Sequence, residues 1–494
     1  MKRLQVVVME FLIVTGLTCL LSTNAATNIV VNLKDGLTAG TLRSAIVNSS
    51  SGDTIIFSNG LTGTVSLTNG GQLLINKNIT LQGPGAKVIT ISGNNTNRVF
   101  NLANANANIS GLTIANGDVI GTNGISSNSG ETVYGAGMLR LDSVAGYSVS
   151  ISNCIFLNNS IIGGTGGSVY MGTAGAGGNA YGAAVFNNSL LTINNCTFVG
   201  NTAVGGNGGG AINGGQAGGT ALGGAICNVG ILNITNCTFT TNTTVGGTGG
   251  YGGQLFTGNG GNAEGGAVYN YAQLILSSCT ISSNTATGGT GGVNGGAYGG
   301  GLRADVGSSQ IQNTIVAGNM GSQAADVSGD FVSQGFNLVG NTNGSTGFVT
   351  TGDQAGTIIS PINPLLGPLQ DNGGPTLTMA LQPNSPAVDR GNSFNNPADQ
   401  RGATRPSIFL FGVNPGDGSD IGAFELVPPA VSITRQGATV VLCWSIYNVG
   451  LTLQAANDIV SSGWGSVSNT PVAVGDKFYF TNAIFTGNRF FRLH

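Results

Sequence analysis

The chain has 494 residues, 86 of them glycine, with 40% hydrophobic but only 7% charged residues and a formal net charge of −3. An ordinary soluble domain carries about 25% charged residues and about 7% glycine, so this is no ordinary globular composition. Abundant Val, Ile and Leu exclude disorder, the glycines lack the strict three-residue period of collagen, and no Lys/Arg cluster exists to neutralise phosphates, which excludes nucleic acid as a partner.

In chain order the first element reads as an export signal over residues 1–25. Lys2 and Arg3 form a basic start, Phe11 to Leu21 an apolar stretch, and Ser22 to Ala26 a run of small residues for cleavage. The apolar stretch is shorter than the roughly 20 residues that span a bilayer, and Gly16-Leu17-Thr18 before Cys19 is a poor lipoprotein signal. No later segment is long and apolar enough to cross a membrane. Next come Gly40 to Ile46, where Leu42, Ala45 and Ile46 share one helical face, and loose strand signals at Thr54 to Phe57, Asn78 to Gln82, Val88 to Ser92 and Ser110 to Ala115. The helix is expected to cap an open end of stacked strands.

Repeats dominate the middle of the chain. Cys154, Cys196, Cys237 and Cys279 each sit in an Ile/Thr/Phe-rich strand motif at steps of about 42 residues, and Thr314 takes the same place after a shorter step. Five residues beyond each stands an asparagine: Asn159, Asn201, Asn242, Asn284 and Asn319. A second motif of the type Gly-Gly-Ala-Val-Tyr-Asn carries its own row, Asn187, Asn228 and Asn270. Such short strands cannot bury an apolar face alone, but stacking equivalent strands about 4.8 Å apart buries it continuously. The asparagines are expected to take left-handed corners and to bond up the stack. For the cysteines, in-register side chains point the same way, which favours buried, reduced thiols over disulfides or metal ligands.

Between repeats lie glycine-rich excursions, Gly163 to Tyr181, Val204 to Gly224, Val245 to Gly266 and Thr287 to Gly301. Each is either a long loop on one coil or an irregular second coil, and the spacing leaves both readings open. They contain no Asp, and Glu264 is their only acid, so they are not calcium-binding glycine repeats. The fold class read from all this is all-β: a right-handed single-stranded parallel β-helix over residues 26–345, with regular repeats at about 135–320. Residues 346–427 and a small β-sandwich-like module at 428–494 follow.

The Leu42-Arg-Ser-Ala-Ile46 helix, the Gly52-Asp-Thr-Ile-Ile-Phe57 strand and the Asn-Cys-Thr-Phe repeats resemble those of exported bacterial β-helix proteins and polymorphic outer membrane proteins. A second resemblance covers about 346–427: Asp371-Asn-Gly-Gly-Pro-Thr376, Ser385-Pro-Ala-Val-Asp389-Arg-Gly391, Asp399-Gln-Arg401-Gly402 and Asp420-Ile-Gly-Ala-Phe-Glu425 look like the choice-of-anchor Q domain. That resemblance implies a secreted or cell-surface address on a Gram-negative-type bacterium rather than a reaction.

β-Helices often cleave polysaccharides, which calls for paired carboxylates or a strong base with charge neutralisation. Between Asp142 and Arg303 the only charged residue is Glu264, and the only histidine is His494. Acids and bases gather instead in the anchor-like stretch, at Asp371, Asp389, Asp399, Arg401, Asp420 and Glu425. No catalytic, cofactor or metal residues are assigned; turn capping and ion pairing account for the cluster, and calcium there is the one cofactor weighed. The reading is a non-enzymatic exported protein with an adhesive, matrix or glycan-binding role, whose partners are glycans or other surface components. A carbohydrate-active enzyme with degenerate motifs is the alternative.

Overall fold

The computed structural model describes residues 25–253, 257–409, 415–446, 451–460, 463–467, 469–475, 477–484 and 487–494. Except for Ala25, the expected export signal lies outside them. One coil of the repeat region shows how the rest is built. In the repeat that carries Cys196, strands Val185–Asn187, Leu190–Asn194 and Thr197–Val199 form three faces around a core, and Thr202–Val204 leads away from it. The chain returns along Ala221–Leu222 and begins the next coil at Ile226–Asn228, which pairs in parallel with Val185–Asn187. Leu190 pairs with Ile231 and Thr197 with Thr238 in the same way. Consecutive repeats are therefore neighbours on every face, and each long repeat is a single coil carrying an excursion.

The result is a parallel β-helix with faces of ten, nine and ten strands. Alternation makes the core: Leu191 and Ile193 point inward and are fully buried, while Thr192 between them faces out. Phe156, Phe198 and Phe239 stack through the core with centroids 4.7 and 4.6 Å apart and nearly parallel rings. Each such burial is worth roughly 1.5–3 kcal/mol. The N-terminal coils lack excursions, so Thr54–Phe57 pairs with Ile79–Gln82 and that strand with Ala107–Ser110 at much shorter sequence intervals. At the entry, the helix Leu42–Asn48 is capped by the Thr41 side chain, which accepts from the N–H of Ser44, and Leu42 and Ile46 are buried against the first coils.

Left-handed backbone does occur at the corners, but not on the ladder asparagines themselves. It falls on the residue before each cysteine or its equivalent, at Asn153, Asn195, Asn236, Ser278 and Asn313, and on the residue before each ladder asparagine, such as Asn158 and Thr241.

The glycine excursions stack on one another into a thin fin. Gly163 and Gly166 donate to Val204 and Asn207 in the next coil, whereas Gly164 and Gly167 donate to Glu131 and Asn128 on the returning limb of the preceding one. Gly175 and Gly178 on the returning limb donate to Gly167 and Gly164 of their own outgoing limb. Bond direction thus repeats every three residues, the period of a polyproline II-type strand. A Cβ on Gly206 would fall on the carbonyl oxygens of Gly163 and Gly164, and one on Gly219 on that of Gly178. Glycine is required there because backbone packs directly on backbone. The fin sheets begin at Asp118–Ile120 and Val133–Tyr134, so residues 121–132 form a first excursion ahead of the regular sequence repeat. Small side chains, among them Ala180, Ala183, Ala203 and Ala221, pack its base.

The parallel ladder continues to Gln354–Ala355. Beyond it, the chain runs back along the face that contains Thr197, Thr238 and Thr280. The last module folds into two antiparallel sheets, one of strands 432–436, 439–445, 477–483 and 472–474, the other of 465–466, 453–456 and 490–493, around Leu442, Trp444, Leu453 and Phe480. Trp444 is core, and Trp464 is covered by Arg492, whose guanidinium carbon lies 4.4 Å from the ring centroid. Among the described residues no helix is long and apolar enough to cross a membrane.

Candidate functional site

The residues that the sequence singles out in the repeats are all interior. Cys154, Cys196, Cys237 and Cys279 are fully buried and unbridged. Their thiols donate to the carbonyls of Ser152, Asn194, Thr235 and Ser277 at 3.1–3.2 Å, and the N–H groups of Cys154 and Cys196 reach the sulfur of the next coil. Burial pushes the thiols of Cys154 and Cys237 well above the ordinary range, which keeps them protonated and unreactive.

The long asparagine row is one continuous chain of amides. Asn159, Asn201, Asn242 and Asn284 each donate Nδ2 to Oδ1 of the next member at 2.8–2.9 Å, ending on Asn319. Their second amide proton goes inward to Ile114, Phe156, Phe198 and Phe239 carbonyls. Asn319 donates in turn to the carboxylate of Asp326 at 2.9 Å. The shorter row runs Asn187, Asn228, Asn270 and ends on the hydroxyl of Ser309. With every polar atom of these side chains turned inward, neither row presents a ligand surface.

In the C-terminal third, the structure brings Asp389, Asp399, Arg401, Asp420 and Glu425 together, all at most 3% exposed, and leaves Asp371 apart on the surface, paired with Lys87 at 2.6 Å. Asp399 pairs with Arg401 at 2.7 Å and also accepts from the N–H groups of Arg401, Ala403 and Glu425. Asp420 accepts from the N–H groups of Asp389 and Leu426, and Glu425 from those of Ser407 and Asp420. Arg401 lies flat on Phe424, 3.6 Å from the ring centroid. Burial raises the pKa of Asp420 well above its usual value and that of Glu425 to about 7. These carboxylates hold irregular backbone, and none opens onto a cleft. Among the described residues no group of three or more His, Cys, Asp or Glu side chains is placed to hold a metal.

What this network positions is a strap. Gln400 sits beneath it, fully buried: its Oε1 accepts from Thr238, and its Nε2 lies within hydrogen-bonding distance of Cys196 O, Thr197 Oγ1 and Thr376 Oγ1. Thr197 donates to Leu377 O, Asn236 to Ala398 O and Asn313 to Asp420 O, while Ala423 N–H donates to Thr280. Thr197, Thr238 and Thr280, which follow Cys196, Cys237 and Cys279, thus form the row that receives the returning chain.

An open feature lies at a corner that sequence reasoning passed over. Residues 141–147 span a turn that the next coil closes with Asn188-Ser189 alone, and the extra chain walls a groove of about 450 Å3. Leu190, Ile231, Val144 and Tyr147 line it, and Asn188 holds the loop by donating to Asp142 O and accepting from the Asp142 N–H, while the Asp142 carboxylate is buried against Arg140. Arg140 anchors the loop from below. It occupies the inward position that Asn187 takes in the next coil, is fully buried, pairs with Asp142 at 2.8 Å and donates to Tyr147 O at 2.9 Å. The signal available in the sequence was this interruption of the corner length.

No known protein-family model matches the chain, and no curated protein matches it significantly.

Proposed function

We propose that this is a non-catalytic exported protein that binds an uncharged saccharide at the groove beside Tyr147. The observation that carries the reading is the groove itself: a preformed concavity lined by Leu190, Ile231 and Val144, with the Tyr147 ring and the polar groups of Ser143, Asn188 and Ser189 beside it, a composition that suits a polyhydroxylated ring. Glycan cleavage gains no support from the acidic cluster of the C-terminal third, because Asp389, Asp399, Asp420 and Glu425 are enclosed and accept from backbone donors. The resemblance to anchor-bearing exported proteins supports an address at or beyond the cell surface.

Glycan-array binding followed by product analysis tests this. The expected result is saturable binding to at least one neutral glycan, lost in Tyr147→Ala and Asn188→Ala, with no new reducing ends or unsaturated sugars. Steady product release would establish the enzyme reading instead.

A further inference from the structure

The crest of the fin carries a second surface, built on the turns of the excursions rather than on the coil corner that forms the groove. Five successive excursions each place a large apolar side chain at their turn: Ile125 is 78% exposed, Tyr170 76%, Met171 70%, Tyr251 75% and Val293 66%, with Ile212 between them at 38%. Soluble proteins scatter such residues singly, whereas Tyr170, Ile212 and Tyr251 of three successive excursions stand together, as at an interaction site. The row is built on ordered backbone, because Val169 donates to Gly210 O, Ala211 to Tyr251 O and Ile212 to Tyr170 O right up to the turns. A slot of about 200 Å3 lies between the turns, walled by Val169, Tyr170, Ala211, Ile212 and Tyr251.

We infer that this crest inserts its side chains into the hydrocarbon of an uncharged lipid layer. Charge argues first. The five excursions carry two charged residues, Glu131 on the returning limb of the first, where it accepts from the N–H and hydroxyl of Thr122, and Glu264 at the foot of the fin, so the turns themselves are uncharged and hold no cation for an anionic headgroup. Size argues second. A stable protein interface takes about 20–30 residues a side, whereas among the described residues the crest offers a few large apolar side chains on an edge two limbs thick, enough to dip into a soft layer but too narrow to bury a partner. The third argument is the slot, whose walls are apolar side chains and suit a methylene chain better than a sugar, which needs hydrogen-bonding partners. The exposed tyrosines match the preference of that ring for the boundary between hydrocarbon and water. Rigidity completes the case, because glycine packing below the crest holds the row straight at little entropic cost on binding.

The test is cosedimentation of the full chain with phosphatidylcholine vesicles, compared with a variant carrying Tyr170→Ser, Met171→Ser and Tyr251→Ser. These positions are exposed, and circular dichroism and the melting midpoint check that the variant folds as the parent does. Expected are binding by the parent that changes little between low and high salt, and at least about a tenfold fall in the partition coefficient of the variant. Tyr147→Ala should bind vesicles as the parent does, which separates this surface from the groove. Failure of the parent to bind, or equal binding by the variant, overturns the inference. So does concentration-dependent self-association, or glycan binding, that the three serines abolish.

Discussion

Asn201 donates its side-chain amide to Oδ1 of Asn242 at 2.8 Å, and its backbone N–H reaches the same oxygen at 3.2 Å. One acceptor therefore serves two buried donors from the coil before, and Asn242 repeats the arrangement toward Asn284 at 2.8 and 3.0 Å. Replacing Asn242 by Leu leaves two buried donors of Asn201 without their acceptor, while the backbone N–H of residue 242 keeps its bond to Asn284. At about 1–3 kcal/mol for each orphaned group, the substitution is expected to cost at least about 2 kcal/mol. Urea unfolding followed by circular dichroism measures it, and a loss below about 1 kcal/mol would show that the row is dispensable.

Asp326 closes that row with a carboxylate, accepting from both the N–H and the amide of Asn319. Burial pushes its pKa up to about 6 from an ordinary value of 3.8. An acid raised on folding holds, between those two pH values, a proton that the unfolded chain has lost. Its contribution is therefore most favourable below about pH 4 and is lost as pH rises through 6. Asp326→Asn keeps the acceptor and removes the charge. It should flatten this pH step, on the order of 2–3 kcal/mol, and raise stability at pH 7, as seen in denaturant midpoints at pH 4, 5 and 7.

Gly206→Ala drives a methyl group into the Gly163 and Gly164 carbonyls, so at least about 1–3 kcal/mol of overpacking is expected. Thr248→Ala alters the exposed middle position of the corresponding Gly-Gly-Thr-Gly-Gly limb one coil on and should stay within about 0.5 kcal/mol. Equal effects of the two substitutions on the melting temperature would contradict backbone-on-backbone packing in the fin.

Gln400→Leu removes the amide that joins Thr197, Thr238 and Thr376. A loss of roughly 2–4 kcal/mol is expected from the groups left unpaired. Hydrogen exchange should accelerate at the strap, around Thr376 and Ala423, well before it does at the fin glycines. Uniform acceleration along the chain would mean that strap and helix unfold as one unit.

The coil strands were legible because their side chains alternate and recur. Thr54–Phe57 was placed to the residue, and the capping helix was found from Leu42, Ala45 and Ile46. The corner conformation was assigned to the wrong asparagines, since Asn158 and Asn159 are adjacent and composition cannot tell which one turns and which one stacks. The first excursion, residues 121–132, was missed because it has fewer glycines and no cysteine beside it. The acidic cluster was found as a set of residues, but its enclosure was not foreseeable, because burial there depends on Gln400 meeting Thr197 and Thr238, and Thr376 meeting the Asn195 carbonyl, about 160–200 positions earlier.

Periodicity is a local property, so the sequence by itself determined that strands stack, that each cysteine lies over the next and that the charge-free stretch is the repeating one. The number of coils per repeat was not local: it turned on whether the glycine limbs return to the same face, and only the pairing of Leu190 with Ile231 decided it. The same holds for the strap, the groove beside Tyr147 and the apolar crest, each made by residues that the coil winding brings together from separate repeats. Spacing along the chain is uniform for all of them, and only their distances in space distinguish an inward amide from an outward ring.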